Sequence, residues 1–359
     1  MLTTNDKLQV FRLSLGLYTE EIKRFSPEEW GEIMDFAEKQ GIMGLIFEGV
    51  KKIHDRKNNL PPQGLLLQWI GLVQQIHNRN NELNLRCIEL SNEFRKAGFR
   101  TCILKGQGNA LMYPDTSLRQ PGDIDIWVDA ERSVIIDYVR GRCKESVECK
   151  HHIDYPIYDD VSVEVHFIPR FLYNNYHNKA FTSFVEQERD EQFCNMTTIP
   201  SVGSICIPTF KFNVVYQLVH MMGHFIEDGI GLRQVTDFIY LLRQEHKLQI
   251  DYKTLLDEMG LSIFAQGIMW IGQGVYGLEL KRMIIEPNEK AGKIILADIM
   301  ETGNLGQYCI FLKSRGRRSY IIRVLTYLNR QRRISYVTQS ESKFFLYKMI
   351  VNKLLSNRK

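Results

Sequence analysis

The stretch Ile103-Leu104-Lys105-Gly106 is followed, seventeen residues after its glycine, by Asp123-Ile124-Asp125-Ile126-Trp127. The first stretch is an apolar run that ends in Lys-Gly, and the second alternates like a strand. Side chains two residues apart on a strand point to the same face. We therefore expect Asp123 and Asp125 to stand side by side, while Ile124 and Ile126 face a hydrophobic core.

Paired carboxylates on a strand suit a hard divalent cation. Mg²⁺ prefers oxygen ligands and is usually held by one or two carboxylates together with substrate phosphates. A third carboxylate, Glu164, lies on the polar face of a later strand whose other face is formed by Val161, Val163, Val165 and Phe167. We expect Glu164 to point toward the same cleft as the Asp pair, with His166 at the edge of that cleft.

Size and composition are those of a folded globular protein. The 359 residues are 44% hydrophobic and 25% charged, with 10 Pro and 25 Gly, which excludes disordered and collagen-like chains. The net charge of +4 is too small to indicate a nucleic-acid or anionic-membrane partner by itself. Its distribution along the chain is more informative than its total.

Cysteines and the N-terminal residues bear on the cellular compartment. The 7 cysteines are scattered and lack CxxC spacing, so neither a disulfide framework nor a thiolate zinc site is indicated. The N-terminus lacks the basic start and apolar core of a signal peptide, and no apolar run approaches the ~20 residues of a membrane span. These features predict a cytoplasmic protein without a membrane span.

The first 97 residues read as helical. Ser26-Pro27-Glu28-Glu29 is a helix start, with Ser as N-cap and Glu three residues later. Gly41 is expected to end that helix, a short helix to follow over 43–50, and a long helix to run over 65–96, ending at Gly98.

From residue 100 the apolar period changes from helical to strand-like. We predict strands at 101–104 and 123–128, a helical turn at 108–113, a helix at 132–140 and a hairpin of strands 147–153 and 160–167. Beyond Pro208 the pattern is helical again. The fold class predicted is α+β: a small mixed β-sheet core (98–207) flanked by N-terminal (1–97) and C-terminal (208–359) helical regions.

These residues resemble the uncharacterised nucleotidyltransferase family of the polymerase-beta-like superfamily. The resemblance rests on Leu104-Lys105-Gly106, Tyr113-Pro114-Asp115, Arg119, Gly122-Asp123-Ile124-Asp125 and Val163-Glu164-Val165-His166-Phe167, and extends over 25–245. The wider superfamily has a Gly-Ser pair before the helix that cradles the triphosphate. Here Lys105-Gly106-Gln107-Gly108 stands in its place.

The resemblance implies an enzyme that uses Mg²⁺ and moves a nucleoside monophosphate from ATP or another nucleoside triphosphate to an acceptor. It implies that Asp123, Asp125 and Glu164 are the catalytic, metal-binding carboxylates. Lys105, Gly106 and Arg119 are then candidates for contacts to the nucleotide phosphates, because glycine permits close backbone approach to an anion. The acceptor, whether small molecule, protein or RNA, and the oligomeric state are left open.

Other features keep a second interpretation open. His220 and His224 lie one helical turn apart without the glutamate of an HExxH site, and core or cleft histidines, substrate contacts and metal binding all remain possible for them. Residues 313–333 carry eight Lys and Arg and no acidic residue, which fits either a solvated helix face or a nucleic-acid contact. The alternative hypothesis is a catalytically inactive protein of this fold that binds a nucleotide, RNA or protein partner.

Overall fold

The computed structural model describes residues 1–17, 22–244, 250–306 and 317–356, with backbone only for 317–326 and 352–356. In these residues the helices are α1 Thr4–Ser14, α2 Pro27–Gln40, α3 Met43–Lys57, α4 Gln63–Lys96, α5 Gln107–Ala110, α6 Arg132–Arg140, α7 Asn175–Gln192, α8 Phe210–Glu227, α9 Leu232–Arg243, α10 Tyr252–Glu258, α11 Ser262–Tyr276, α12 Glu289–Thr302, α13 Arg317–Thr338 and α14 Ser340–Ser356. The strands are β1 Thr101–Ile103, β2 Ile124–Val128, β3 His152–Asp154, β4 Val163–His166, β5 Met196–Ile199 and β6 Gly203–Cys206.

Local sequence signals account for the ends of α2. The Ser26 side chain accepts from the Glu29 backbone N–H, and the Glu29 side chain accepts from the Ser26 backbone N–H, which completes the predicted capping box. Gly41 ends the helix in the left-handed conformation at φ 66°. Helix α3 continues to Lys57, beyond the predicted end at residue 50, and stops at left-handed Asn58.

The main sheet has the strand order β1-β2-β4-β3. Strands β1 and β2 are antiparallel, β2 and β4 are parallel, and β4 and β3 are antiparallel. Residues Ile124, Ile126 and Val165 belong to one hydrophobic core together with Leu90 and Phe94 of α4. The predicted fold class, α+β with a small mixed sheet, is confirmed, as is the assignment of Ile124 and Ile126 to the core.

One face of this sheet therefore packs on α4 and α6, while the other face carries the polar side chains and Trp127. The Trp127 ring stacks on Phe212 with ring centroids 5.7 Å apart, and Phe212 stacks on Phe184 at 5.6 Å. These aromatic rings fill the second face beside Trp127. The end of that face nearest Asp125 carries the polar side chains.

The predicted strand 147–153 is wrong in its position. The chain turns at Cys149, whose backbone N–H donates to the His152 carbonyl at 2.9 Å, and the strand proper is β3. Among the described residues, one helix and one hairpin had no counterpart in the sequence prediction. Helix α7 covers 175–192, and β5 and β6 form a separate hairpin.

The chain divides into two compact units. One comprises Gln63–Phe171 and Thr182–Tyr216, and thus contains both sheets; the other comprises Met1–Pro62, Leu172–Phe181 and Gln217–Lys359. The boundaries expected from the sequence, after residues 97 and 207, stay a prediction. In the described residues, no helix has the length and apolarity that crossing a membrane requires.

Candidate active site

The register of the parallel strand pair places two carboxylates side by side. Asp125 of β2 is the direct partner of Glu164 of β4, and both side chains lie on the face opposite the hydrophobic core. On the far side of β4, Asp154 pairs with Glu164, and His152 pairs with His166. Three neighbouring strands thus contribute polar side chains to one face, all within the unit that holds the sheets.

Asp125 is the most buried of these carboxylates, with 1% of its side chain exposed. Its Oδ1 lies 3.0 Å from His166 Nε2, and its Oδ2 lies 3.0 Å from Lys105 Nζ. Burial alone would raise the pKa of Asp125, but the Lys105 charge and the His166 hydrogen bond outweigh burial and hold the pKa below its usual range. Asp125 is therefore ionised at neutral pH.

Lys105 approaches both aspartates of the Asp-x-Asp stretch. Its Nζ is 3.8 Å from Asp123 Oδ2, and 19% of its side chain is exposed. Burial would lower the pKa of Lys105, but the charges of Asp123, Asp125 and Glu164 raise it instead. Asp123 itself precedes β2 and has 37% of its side chain exposed.

Gly106 turns the chain directly after Lys105. Its φ of 63° and ψ of −113° lie in a region that other residues rarely adopt. This turn leads into α5, which has only four residues. The sequence therefore positions Lys105 by ending β1 and reversing the chain at a glycine.

The loop that contains Arg119 is anchored on α4. The Asn80 side-chain amide donates to the Arg119 carbonyl at 2.9 Å and to the Ser117 carbonyl at 3.0 Å, and Gln107 Nε2 donates to the Asn80 carbonyl at 3.2 Å. Arg119 is 4% exposed. Arg119 is therefore a buried residue of a loop whose backbone is anchored on α4.

Glu164 and His166 share one face of β4. Their side chains approach to 3.5 Å between His166 Nε2 and Glu164 Oε2. Burial would lower the pKa of His166, but the hydrogen bonds to Asp125 and Glu164 raise it to about 9. Glu164 responds in the opposite direction: burial would raise its pKa, and His166 lowers it.

Two histidines that the sequence reading did not single out extend this cluster. His152 Nδ1 lies 3.3 Å from Glu164 Oε2 and also 3.3 Å from His151 Nε2, while Arg170 Nη1 lies 2.8 Å from that same His151 nitrogen. Burial and then the Arg170 charge lower the pKa of His151, so its ring is neutral. Correct pairing of β3 with β4 would have revealed His152, since β3 alternates His-Ile-Asp and His152 then shares the polar face with Glu164 and His166.

The predicted site residues are placed as follows. Lys105, Asp123, Asp125 and Glu164 come together around the Lys105 ammonium, and His166, expected at the edge of the site, lies at its centre. His220 and His224 lie in the other unit, with ring centroids 4.5 Å apart.

The donor set fits a hard divalent cation. Carboxylate oxygens of Asp125 and Glu164 lie within 4.8 Å of each other. Asp125 Oδ2 is buried and accepts no hydrogen bond of normal geometry, although the Lys105 ammonium is near. Three carboxylates, counting Asp123, face two cations, Lys105 and His166, so the cluster retains negative charge that a metal ion would balance.

Comparison with known proteins gives independent information on kinship. A family model described as an uncharacterised nucleotidyltransferase matches residues 26–277. Among solved structures, the chain is similar to an antigenic nucleotidyltransferase-like protein from Paracoccidioides brasiliensis, with 11% sequence identity and a TM-score of 0.36, over 57% of this chain and 94% of that one. No curated protein matches the chain.

Proposed function

The chain belongs to the uncharacterised nucleotidyltransferase family, and from that premise we propose that it is a Mg²⁺-dependent nucleotidyltransferase. It moves a nucleoside monophosphate from a nucleoside triphosphate to an acceptor hydroxyl or phosphate and releases pyrophosphate. The observation that supports this proposal best is the direct pairing of Asp125 with Glu164 on the same polar face. Such a pair suits the Mg²⁺ ion that accompanies a nucleoside triphosphate.

Each residue has a distinct role in this proposal. Asp125 and Glu164 would hold the metal. Asp123, which is more exposed and lies directly before β2, would be the third carboxylate ligand. Bound Mg²⁺ supplies positive charge where the transferred phosphoryl group and the leaving pyrophosphate carry negative charge. Lys105 and Arg119 contact the phosphates, and Gly106 allows the backbone to approach them closely.

Lys105-Gly106-Gln107-Gly108 stands in the place of the Gly-Ser pair of the wider superfamily, and in this proposal Lys105 supplies the phosphate contact that the pair would make. Its single positive charge offsets part of the negative charge of Asp125 and Asp123, whose oxygens lie 3.0 and 3.8 Å away. In the presence of metal and nucleotide, this ammonium would be available to contact a phosphate oxygen. The acceptor is a small molecule, a protein or an RNA, and no residue of the cluster selects among them.

Calorimetry with ATP, GTP, CTP and UTP in the presence of Mg²⁺ tests nucleotide binding. We expect at least one nucleotide to bind to the wild-type protein and to lose affinity at least tenfold in Asp125→Asn and Glu164→Gln. Asp137→Asn is the matched control, because Asp137 is an exposed carboxylate on α6 of the same unit. Equal affinity in all four proteins would refute the metal role of the carboxylate pair.

A transfer assay tests catalysis separately. The protein is incubated with each nucleoside triphosphate labelled at its α-phosphate, Mg²⁺ and candidate acceptors of the three classes; transfer of the label to the acceptor is followed, and pyrophosphate release is measured in parallel. Acceptor-dependent release that is lost in Asp125→Asn supports the proposal. Nucleotide binding without release in the presence of any acceptor favours the alternative below.

The second candidate is a catalytically inactive binding protein of this family. Lys105 and His166, the positively charged groups beside Asp125, favour it. Lys105 and His166 already hold both oxygens of Asp125, each at 3.0 Å, as they would if no metal were needed. The basic segment 313–333 lends this candidate less support than its composition suggests. Arg330 is buried and bonded to Asp298, and Arg333 pairs with Glu301, whereas residues 313–316 lie outside the described part of the chain. RNA binding that weakens steeply with salt would nevertheless implicate the segment.

A further inference from the structure

A second group of ligating side chains lies on the edge strand of the sheet. A cysteine, a histidine and an aspartate contribute one sulfur, one nitrogen and one oxygen atom, which all lie within 4.8 Å of one another; they are Cys149, His152 and Asp154. Cys149 and Asp154 are half-exposed and His152 is buried, so the group is open to solvent on one side. Unlike the Asp125 cluster, it contains a soft thiol donor.

The backbone holds these three donors in place. The Cys149 N–H donates to the His152 carbonyl at 2.9 Å, so the backbone turns back between these two residues. Asp154 follows two residues after His152 on the same face of β3. Arg132 fixes the turn from outside, because its guanidinium donates to the carbonyls of Cys149 and Lys150 at 3.2 and 3.1 Å.

We propose that Cys149, His152 and Asp154 form a zinc site distinct from the Mg²⁺ site. Zn²⁺ binds thiolate, imidazole and carboxylate ligands tetrahedrally, and its Zn–N and Zn–O distances of about 2.0–2.2 Å separate two ligand atoms by about 3.4 Å. The distance between His152 Nε2 and Asp154 Oδ1 is 3.4 Å. Three protein ligands leave the fourth position to water, on the solvent side where Asp154 has 47% of its side chain exposed.

His152 has a partner for its second nitrogen, as zinc-bound histidines usually do. Its Nδ1 lies 3.3 Å from Glu164 Oε2, while its Nε2 faces Asp154. Two acceptors for the Nδ1 proton, Glu164 Oε2 and His151 Nε2, each lie 3.3 Å away, which favours the tautomer whose Nε2 is free to bind the metal. The His152 ring therefore separates the proposed zinc from Glu164, which is proposed to bind Mg²⁺. When zinc binds, the Cys149 thiol loses its proton to solvent.

Titration with Co²⁺, which takes the coordination geometry of Zn²⁺ and is coloured, tests the site without any nucleotide. The full-length protein, metal-free and reduced, is titrated with Co²⁺ in oxygen-free buffer, and absorbance is recorded. We expect one equivalent of Co²⁺ to give intense visible bands typical of tetrahedral Co²⁺ and a near-ultraviolet thiolate-to-cobalt band, both removed by one equivalent of Zn²⁺. Cys149→Ser abolishes the thiolate band, and Asp154→Asn weakens Co²⁺ affinity at least tenfold.

Cys194→Ser is the matched control, because Cys194 is exposed and lies in the same unit. It should retain the wild-type spectrum and affinity, and circular dichroism should confirm that each variant is folded. A wild-type protein without the thiolate band, or a band that persists in Cys149→Ser, would overturn the proposal. Failure of nucleotide binding leaves these spectra unaffected, so the two proposals fail independently.

Discussion

Replacing Lys105 with methionine removes the ammonium group that lies among the carboxylates. At the observed 3.0 Å, the attraction between Lys105 and Asp125 is about 5 kcal/mol at an effective dielectric constant of ~20. The ammonium is better hydrated in the unfolded chain, which offsets part of this attraction. Removing one partner of a buried ion pair costs about 3–5 kcal/mol. Because 19% of the Lys105 side chain is exposed, we expect Lys105→Met to lose about 3 kcal/mol of unfolding free energy in metal-free buffer.

Mg²⁺ should restore most of this loss. A cation that binds only the folded protein adds about 2.7 kcal/mol when its concentration is ~100 times its Kd. In Lys105→Met the carboxylates have no ammonium to compete with the ion, so the variant gains more from Mg²⁺ than the wild-type protein does. Its nucleotide affinity should nevertheless fall, since a phosphate contact has been removed.

Urea unfolding followed by tryptophan fluorescence, with and without Mg²⁺, measures both effects. Trp69 and Trp127 report on the unit that holds the site, and Lys144→Met, at an exposed lysine of the same unit, is the control. The control should match the wild-type protein under both conditions. If Mg²⁺ stabilises Lys105→Met no more than it stabilises the wild-type protein, the carboxylates do not form a metal site and the reasoning is refuted.

Three further predictions concern the stability of the fold. Ser26→Ala removes the side-chain cap of α2 and should lower the unfolding free energy by about 1 kcal/mol in denaturant melts. Gly106→Ala forces a side chain into a strained conformation and should cost about 1–3 kcal/mol, whereas Gly71→Ala on α4, where nothing lies within 4 Å, should be neutral or stabilising in the same melts. Burial would raise the pKa of Asp129, but hydrogen bonds from arginines, Arg189 first, lower the pKa overall. The ionised carboxylate therefore stabilises the fold above the unfolded pKa of about 3.9, and this stabilisation is lost as the pH falls through the folded pKa. Asp129→Asn should accordingly reduce the fall of the unfolding free energy at acid pH.

Much of the sheet followed from alternation in the sequence. Ile124 and Ile126 lie in the core, and Asp125 and Glu164 meet on the opposite face, because the period of two in each strand assigns faces without any knowledge of the partner. The family resemblance inferred over 25–245 agrees with the family match over 26–277. Which strands would pair in parallel was not readable, since neither strand encodes its partner.

The features that the sequence did not reveal depend on tertiary structure. Strand β3 has three residues and follows a turn at Cys149, so its alternation was too short to separate from the preceding residues. His152 was consequently missed. His166 was expected at the edge of the site. Its distance from Asp125 depends on how β2 and β4 pair, and in the structure the two side chains lie 3.0 Å apart.

The parallel pairing of β2 and β4 also constrains how relatives of this protein can diverge in length. The two carboxylates share a row of the sheet, and a one-residue insertion within either strand would turn one of them into the hydrophobic core. Residues 156–160 between β3 and β4, which are exposed apart from the half-buried Tyr158, carry no such register constraint. Alignments of the family should therefore collect gaps in that connection while both short strands stay gap-free, and a sequence with a gap inside either strand should also lack one of the two acids.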